Sequence, residues 1–200
     1  MINTEALENV CDITSGQSFR GKIAEDPNGN VSVVQLRDVN ELSGIDFNSL
    51  IRTNVKLRDS KTDNFLRKGD VLCVSKGPRL YSAYLDEVPE GVLASFHLSI
   101  LRVKADRNQI LPEFVAWSLN NSQRYFHQNS QGSTVTHMSK SVLEKLPIKL
   151  PPIEIQQQVV QLEKLKNEEE SLLEKIVSLR SELTKAIQNK LVSRSNKGIR

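Results

Sequence analysis

Apolar residues recur every three to four positions over the last quarter of the chain, which predicts one long helix. Pro151 and Pro152 open this segment, and neither proline nor glycine follows until Gly198. Proline is tolerated in the first turn of a helix but not in its interior, so the paired prolines predict a helix start. A helix that continues to Lys190 spans roughly 37 residues, or about 55 Å at 1.5 Å per residue.

The apolar positions of this helix repeat with a seven-residue period, which indicates a seam between helices. With Ile155 as position a, the a and d sites are Ile155, Gln158, Leu162, Leu165, Glu169, Leu172, Ile176, Leu179, Leu183, Ala186 and Lys190. The polar members of this set are of the kind that fixes register or orientation at some cost in stability.

Either the globular part of the same chain or a helix from another molecule has to cover this stripe. A domain of about 150 residues is only about 30 Å across, so it is too short to cover a stripe of about 55 Å. We therefore expect the cover to be a second helix, from another copy or from another protein. A long amphipathic helix lying on its own domain stays open as the alternative.

The first 150 residues are dominated by short apolar runs of strand length, separated by turn-forming residues. Their connections are too short for crossover helices, so we expect an antiparallel, curled sheet. The predicted strands are 31–36, 55–57, 71–75, 80–85, 92–95 and 98–103. Residues 7–16 predict a helical turn followed by a strand, and 112–128 predict one helix behind Pro112.

These elements predict an α+β fold, in which a strand-rich globular domain precedes one long C-terminal coiled-coil helix. We place the globular domain at residues 1–150 and the helix at 151–192. A basic tail at 193–200, rich in Ser and Lys, is expected to be disordered.

The composition, with 38% hydrophobic and 26% charged residues, is that of an ordinary water-soluble chain. No apolar run reaches the roughly eighteen residues of a membrane span, and the first residues lack the features of a signal peptide, so we expect a cytoplasmic protein. The formal charge of +3 permits nucleic-acid binding without requiring it. Cys11 and Cys73 lie far apart in apolar runs, and we expect two buried thiols.

Several enzymatic signatures are absent from the sequence. It contains no P-loop and no nucleophile elbow, and none of the three histidines lies at metal-ligand spacing from a cysteine. The single Pro-Pro pair lacks the neighbours that an amine methyltransferase motif requires. We therefore expect a chain without catalytic residues or a metal site.

Six segments, taken in chain order, carry a resemblance to a known family. They are 7–16 (LENVCDITSG), 66–72 (LRKGDVL), 111–114 (LPEF), 132–134 (GST), 143–148 (LEKLPI) and 150–156 (LPPIEIQ), which leads into the long helix. Together they resemble the DNA specificity (S) subunits of type I restriction-modification systems and cover nearly the whole chain. Residues 75–79 (SKGPR) depart from the Ser-Arg-Ser-Gly-Thr-like turn that is common in this family.

The resemblance implies a non-catalytic subunit that binds DNA sequence-specifically through a target recognition domain, here residues 1–150. A full S subunit has two such domains, each followed by a helix, and the two helices pair antiparallel as a spacer. This chain has one of each and looks like a half-size form. The resemblance then implies that two copies pair through their helices and read a split, palindromic site.

The partners that the resemblance implies are double-stranded DNA, a second copy of the chain and the adenine-N6 methyltransferase (M) subunit. A restriction (R) subunit is a further partner that it allows, whereas no membrane partner is expected. We expect no cofactor on this chain, since S-adenosylmethionine would be carried by the M subunit.

Residues that read DNA should be polar or cationic side chains on loops, because bases are read by hydrogen bonds and phosphates are bound by cations. The candidate DNA-binding residues are Arg20, Lys22, Arg37, Lys76, Arg79, Ser133, Thr134, Thr136, His137 and Lys140. A solvated surface side chain is the alternative for each of them.

Two functions of other classes stay open at this stage. One is a coiled-coil adaptor whose globular part binds protein and not DNA. The other is a nuclease that uses Asp70 and Lys76, although Val74 occupies the position where a second acidic residue is expected.

Overall fold

The computed structural model describes residues 3–19, 21–40, 44–56, 64–74, 76–77, 80–130 and 137–195, with side-chain burial described up to residue 192. Contacts divide the chain into two units, Met1–Gln161 and Leu162–Arg200. The first unit holds the strands and the short helices, and the second is the later part of one long helix. The division falls inside that helix and not at its start, because the first turns of the helix pack in the core of the first unit.

Among the described residues of the first unit, the strands are many and short. They are β1 (Asn3–Ala6), β2 (Cys11–Ser15), β3 (Val31–Val34), β4 (Val39–Asn40), β5 (Gly44–Ile45), β6 (Ile51–Thr53), β7 (Val71–Val74), β8 (Tyr81–Tyr84), β9 (Val92–Ala94), β10 (Leu98–Val103) and β11 (Pro147–Leu150). The α-helices are α1 (Leu7–Val10), α2 (Pro112–Asn120), α3 (Gln123–Asn129), α4 (Lys140–Glu144) and the long α5 (Ile153–Ser195). Single 3-10 turns lie at Leu36–Asp38 and Phe47–Ser49.

Two sheets form the body of the first unit. The larger has the order β2-β10-β7-β8 and is antiparallel throughout, as the sequence predicted. The smaller has the order β6-β3-β9, and here β3 and β9 run parallel, which the sequence did not predict. The parallel pair arises because the chain passes through β7 and β8 of the larger sheet before it returns as β9.

Strand β7 shows how the layers are arranged. Val71 and Cys73 belong to the core cluster that contains α2, whereas Leu72 and Val74 belong to the cluster shared with β3 and β9. The larger sheet is therefore covered by helices on one face and by the smaller sheet on the other. A strand buried on both faces needs apolar residues at every position, which explains its uninterrupted apolar run.

Both cysteines are buried free thiols, as predicted. Burial raises the pKa of Cys11 and of Cys73 to about 12, and the Asp12 carboxylate adds to the effect at Cys11. Such thiols are almost entirely protonated at neutral pH, so they have the low reactivity of packed core residues.

The predicted strand at 55–57 is wrong for its described residues, because Val55 lies in no strand and the pairing segment is β6, a few residues earlier. The Asn30 carboxamide bonds the backbone of Val55 on both sides. Its Oδ1 accepts from the Val55 N–H at 2.9 Å, and its Nδ2 donates to the Val55 carbonyl at 3.0 Å. A side chain thus replaces the partner strand.

The single helix predicted at 112–128 is divided into α2 and α3 at Asn121 and Ser122. The Asn120 Oδ1 accepts from the Ser82 N–H at 2.6 Å, and Gln123 Nε2 donates to the Leu80 carbonyl. These two amide side chains therefore satisfy backbone groups of β8, which is an edge strand. The Ser122 hydroxyl also bonds the Ser118 carbonyl at 2.7 Å, an interaction that competes with helix continuation.

Helix α5 contains 43 residues, which corresponds to about 65 Å. It runs three residues beyond the predicted end at 192, and the rest of the predicted tail, 196–200, lies outside the described residues. Its start is attached to the first unit by Gln156, which is 2% exposed. The Gln156 Oε1 accepts from the Leu111 N–H at 3.0 Å, while its Nε2 donates to the carbonyls of Gln109 and Pro151 at 3.0 and 2.9 Å.

We predict that Gln156→Leu lowers the free energy of unfolding of the first unit by about 2–4 kcal/mol. The substitution leaves one buried N–H and two carbonyls without the amide that now bonds them. Urea unfolding measures the loss, followed by the fluorescence of Trp117, the single tryptophan, whose ring lies 5.3 Å from that of Phe114. Gln157→Leu is the matched control, because Gln157 is exposed, and an equal effect of both variants would contradict the anchoring role.

Candidate nucleic-acid interface

The candidate interface is organised around a four-residue turn, Ser95 to Leu98, that joins β9 to β10. The Leu98 N–H donates to the Ser95 carbonyl at 2.9 Å and closes the turn. The Ser95 N–H donates to the Val34 carbonyl of β3 at 2.8 Å. Because β9 belongs to the smaller sheet and β10 to the larger, this turn is fixed where the two sheets meet.

The end of β2 crosses this turn at very close range, at Gly16. The Gly16 N–H donates to the Leu98 carbonyl at 3.0 Å, and the Gln17 N–H donates to the Ala94 carbonyl at 2.7 Å. A Cβ atom at position 16 would lie 2.4 Å from the carbonyl oxygens of both Ala94 and Ser95. Only glycine permits this approach, so the glycine at the end of the predicted β2 strand positions the turn.

Cationic side chains from three separate segments surround the turn. Lys22 and Arg37 line the same pocket as Phe96 and His97, and both cations are exposed. Lys76 lies close enough to act on the pKa of His97, and it forms a β-bridge with His137. Four of the predicted DNA-binding residues, Lys22, Arg37, Lys76 and His137, are therefore gathered at one place in the fold.

Phe96 and His97 are the residues of this site that sequence reasoning missed. Phe96 is 49% exposed and is the one exposed large apolar side chain outside α5 among the described residues. The two rings lie 3.7 Å apart between centroids, tilted by 38°. Partial burial, helped by the nearby Lys76 ammonium, lowers the pKa of His97. The available signal was an aromatic pair in a turn between two apolar strands, where the core does not require aromatic residues.

Of the other predicted DNA-binding residues, Lys140 is described, and it does not line the pocket of Lys22 and Arg37. Lys140 lies at the start of α4, and its ammonium is 3.6 Å from the Glu144 carboxylate on the same helix. The rest lie outside the described residues, namely Arg20, Arg79, Ser133, Thr134 and Thr136. DNA binding by any of the ten residues stays a prediction.

The geometry around Asp70 does not support the nuclease alternative. Asp70 is 1% exposed, and its Oδ1 accepts from Arg102 Nε at 2.7 Å. Its Oδ2 accepts from the Arg67 N–H at 3.0 Å. The carboxylate therefore holds the turn before β7 to β10, and no group of three metal-ligating side chains exists among the described residues.

The predicted seam of α5 is exposed along its length. Leu162 is 67% exposed, Leu172 55% and Ile176 60%, and the exposed large apolar residues also include Ile155, Leu165, Leu179 and Leu183. Ala186 is exposed as well. The residues that attach the start of α5, Gln156 and Val160, occupy heptad positions b and f and leave positions a and d uncovered.

The match of this chain to a protein-family model shows its family. The family model described as type I restriction modification DNA specificity domain matches residues 2–191. The chain belongs to this family. The resemblance found in the sequence is thereby confirmed, and the family consists of specificity subunits that are not themselves catalytic.

Solved structures of type I specificity subunits share the fold of this specificity domain. The S subunit from M. genitalium is 15% identical with a TM-score of 0.59, over 92% of this chain and 43% of that chain. The HsdS subunit from Thermoanaerobacter tengcongensis is 21% identical with a TM-score of 0.59, over 86% and 39%. A chain from work on complex assembly and conformational transition of the type I R-M system is 19% identical with a TM-score of 0.63, over 92% and 43%.

This specificity domain spans about two fifths of each of those chains. At such low identity the likeness shows the fold alone, and it confirms the predicted α+β class with a long C-terminal helix. Within the described part of the chain, no helix is long and apolar enough to cross a membrane.

We predict that Gly16→Ala lowers the free energy of unfolding of the specificity domain by about 1–3 kcal/mol, because the new methyl group collides with backbone that cannot move away cheaply. Thermal unfolding measures the loss as a lower Tm. Ser15→Ala, at an exposed neighbouring position, should stay within about 0.5 kcal/mol of the parent. A Tm for Gly16→Ala equal to that of Ser15→Ala would show that the close crossing is not rigid.

Proposed function

We propose that this chain is the sequence-specific DNA-binding subunit of a type I restriction-modification methyltransferase complex. The observation that carries the proposal is the gathering of Lys22, Arg37, Lys76 and His137 around an exposed aromatic turn, in a chain of this family. Cations bind phosphates and so position the protein on the duplex, whereas side chains of the turn contact bases.

The second part of the proposal is a homodimer that forms through the a and d positions of α5. Aliphatic side chains exposed at heptad spacing over about 47 Å are stabilised when a second helix removes them from water. In an antiparallel pair, the α5 helix of the second copy presents the same apolar stripe to the stripe of the first. Two-fold symmetry then places two recognition domains on inverted half-sites, so the target is a split palindrome with a fixed gap.

The paired helices also provide the docking surface for the adenine-N6 methyltransferase (M) subunit in this proposal. The M subunit carries S-adenosylmethionine and the catalytic residues, and this chain determines which adenine it reaches. A restriction (R) subunit would join the same assembly through the M subunit. The buried, ion-paired state of Asp70 supports a purely binding role for this chain.

We predict that the purified chain is a dimer and that Leu172→Asp combined with Ile176→Asp makes it monomeric, because two carboxylates would be buried in the seam. Mass from multi-angle light scattering measures the change. Ser178→Asp combined with Ser181→Asp adds the same charge at heptad positions c and f and should leave the dimer intact. A dimer mass for the seam variant would show that α5 pairs through another face.

We also predict sequence-specific methylation in cells that express the chain together with the neighbouring M subunit. Sequencing that detects N6-methyladenine should find one split, palindromic motif when both proteins are present and none when either is expressed alone. Lys22→Glu combined with Lys76→Glu should reduce methylation of that motif at least about 10-fold, since each removed phosphate contact weakens binding.

The matched control for this experiment is Lys68→Glu, at the opposite end of β7 from Lys76. Lys68 pairs with Asp86 at 3.2 Å on an exposed surface, so its loss should cost little stability. If the Lys22 and Lys76 variant supports normal methylation, then DNA binds to another face of the domain. Absence of any chain-dependent methylation, together with indifference to duplex DNA, would instead favour a protein adaptor.

A further inference from the structure

A small pocket lies beside the exposed ring of Phe96. Its apolar part is formed by Phe19, Ile23 and Leu36 together with Phe96, and Lys22 and Arg37 line it as well. No acidic residue occurs among the described lining residues. The pocket therefore suits a small apolar group that belongs to a negatively charged partner.

Two polar side chains of the same pocket have buried atoms without a hydrogen-bond partner among the described residues. They are Gln35 Nε2 and Ser95 Oγ, and Ser95 is only 4% exposed. Gln35 is held by the turn that follows it, because its backbone N–H donates to Asp38 Oδ2 at 2.8 Å. A buried donor without an acceptor costs free energy, so a ligand that brings an acceptor recovers it.

We propose that this pocket reads a thymine in the major groove of the target, an inference that rests on the proposed function. Thymine presents there a C5-methyl group beside the O4 acceptor. The methyl group would enter the apolar part against Phe96, and O4 would accept a hydrogen bond from Gln35 Nε2 or Ser95 Oγ. Lys22 and Arg37 would bind the neighbouring phosphates.

The chemistry of the pocket distinguishes thymine from the other bases. Cytosine and adenine present amino donors toward the groove, which would face the donor of Gln35. Guanine presents two acceptors but has no methyl group for the apolar part. Thymine alone among the four bases combines an acceptor with an apolar group at this edge.

The turn that carries Phe96 is also rigid enough to discriminate between bases. Its backbone is bonded to β2, β3 and the start of β10, and Gly16 lies against it without space for a methyl group. Because Phe96 is exposed, its position does not result from packing in the core. A rigid apolar contact gives specificity, since little conformational entropy is lost on binding.

The test uses the assembled complex with the M subunit and duplexes that contain its mapped methylation motif. Each thymine is replaced in turn by uracil, which lacks the methyl group, and by 5-methylcytosine paired with guanine, which keeps the methyl group but presents an amino donor. At one thymine, uracil should weaken binding roughly 4- to 10-fold, and 5-methylcytosine about 5- to 150-fold. Phe96→Ala should abolish the effect of uracil at that position only, and Gln35→Glu, which replaces the Nε2 donor by an acceptor, should reduce discrimination against 5-methylcytosine.

The control variant is Ser99→Ala, on the neighbouring strand β10 and outside the pocket, which should keep both preferences. Binding to DNA that lacks the motif verifies that each variant is folded and still holds phosphates. The inference is overturned if uracil weakens binding at no thymine of the motif, or if Phe96→Ala and Gln35→Glu leave every thymine effect unchanged. Either result would leave the proposed function intact, whereas a complex that methylates no specific motif would refute the proposed function itself.

Discussion

The amide of Gln156 is the interaction on which the architecture of this chain depends. It joins the first turn of α5 to the segment before α2 through two hydrogen bonds, to the backbone of Leu111 and Gln109, and makes a third to Pro151 just before α5. A carboxamide has one oxygen acceptor and two donor hydrogens, and the oxygen and the nitrogen of Gln156 are both bonded. These bonds fix the rotation of the first turn of α5 about the helix axis. That setting buries Val160 and leaves the a and d stripe uncovered. The anchor thus selects the face of α5 that is free for a partner.

The candidate interface depends on a second close contact, the crossing of Gly16 over the turn from Ser95 to Leu98. Here the core of the domain continues directly into the candidate interface. The hydrogen bonds that close the turn also join the two sheets, so a side chain such as Phe96 has its position determined by strands and not by a loop. Recognition residues supported in this way lose less entropy on binding than residues on a free loop.

Sequence patterns were informative where a feature follows from the local order of apolar and polar residues. The α5 stripe, the unbroken apolar run of β7 and the buried thiols all follow from local composition, and all were predicted. The parallel pairing of β3 with β9, the use of Asn30 in place of a strand, and the helix break at Asn121 depend on contacts between distant segments. Phe96 was missed for a related reason, because an exposed aromatic residue is recognised only once its burial is known.

The pairing of β1 with β11 has a consequence for synthesis on the ribosome. Asn3 lies opposite Leu150, so β1 has no partner until β11 has left the exit tunnel. At about 5–20 residues per second, this delay is roughly 7–30 s. During that interval an unpaired strand edge is open to other nascent chains.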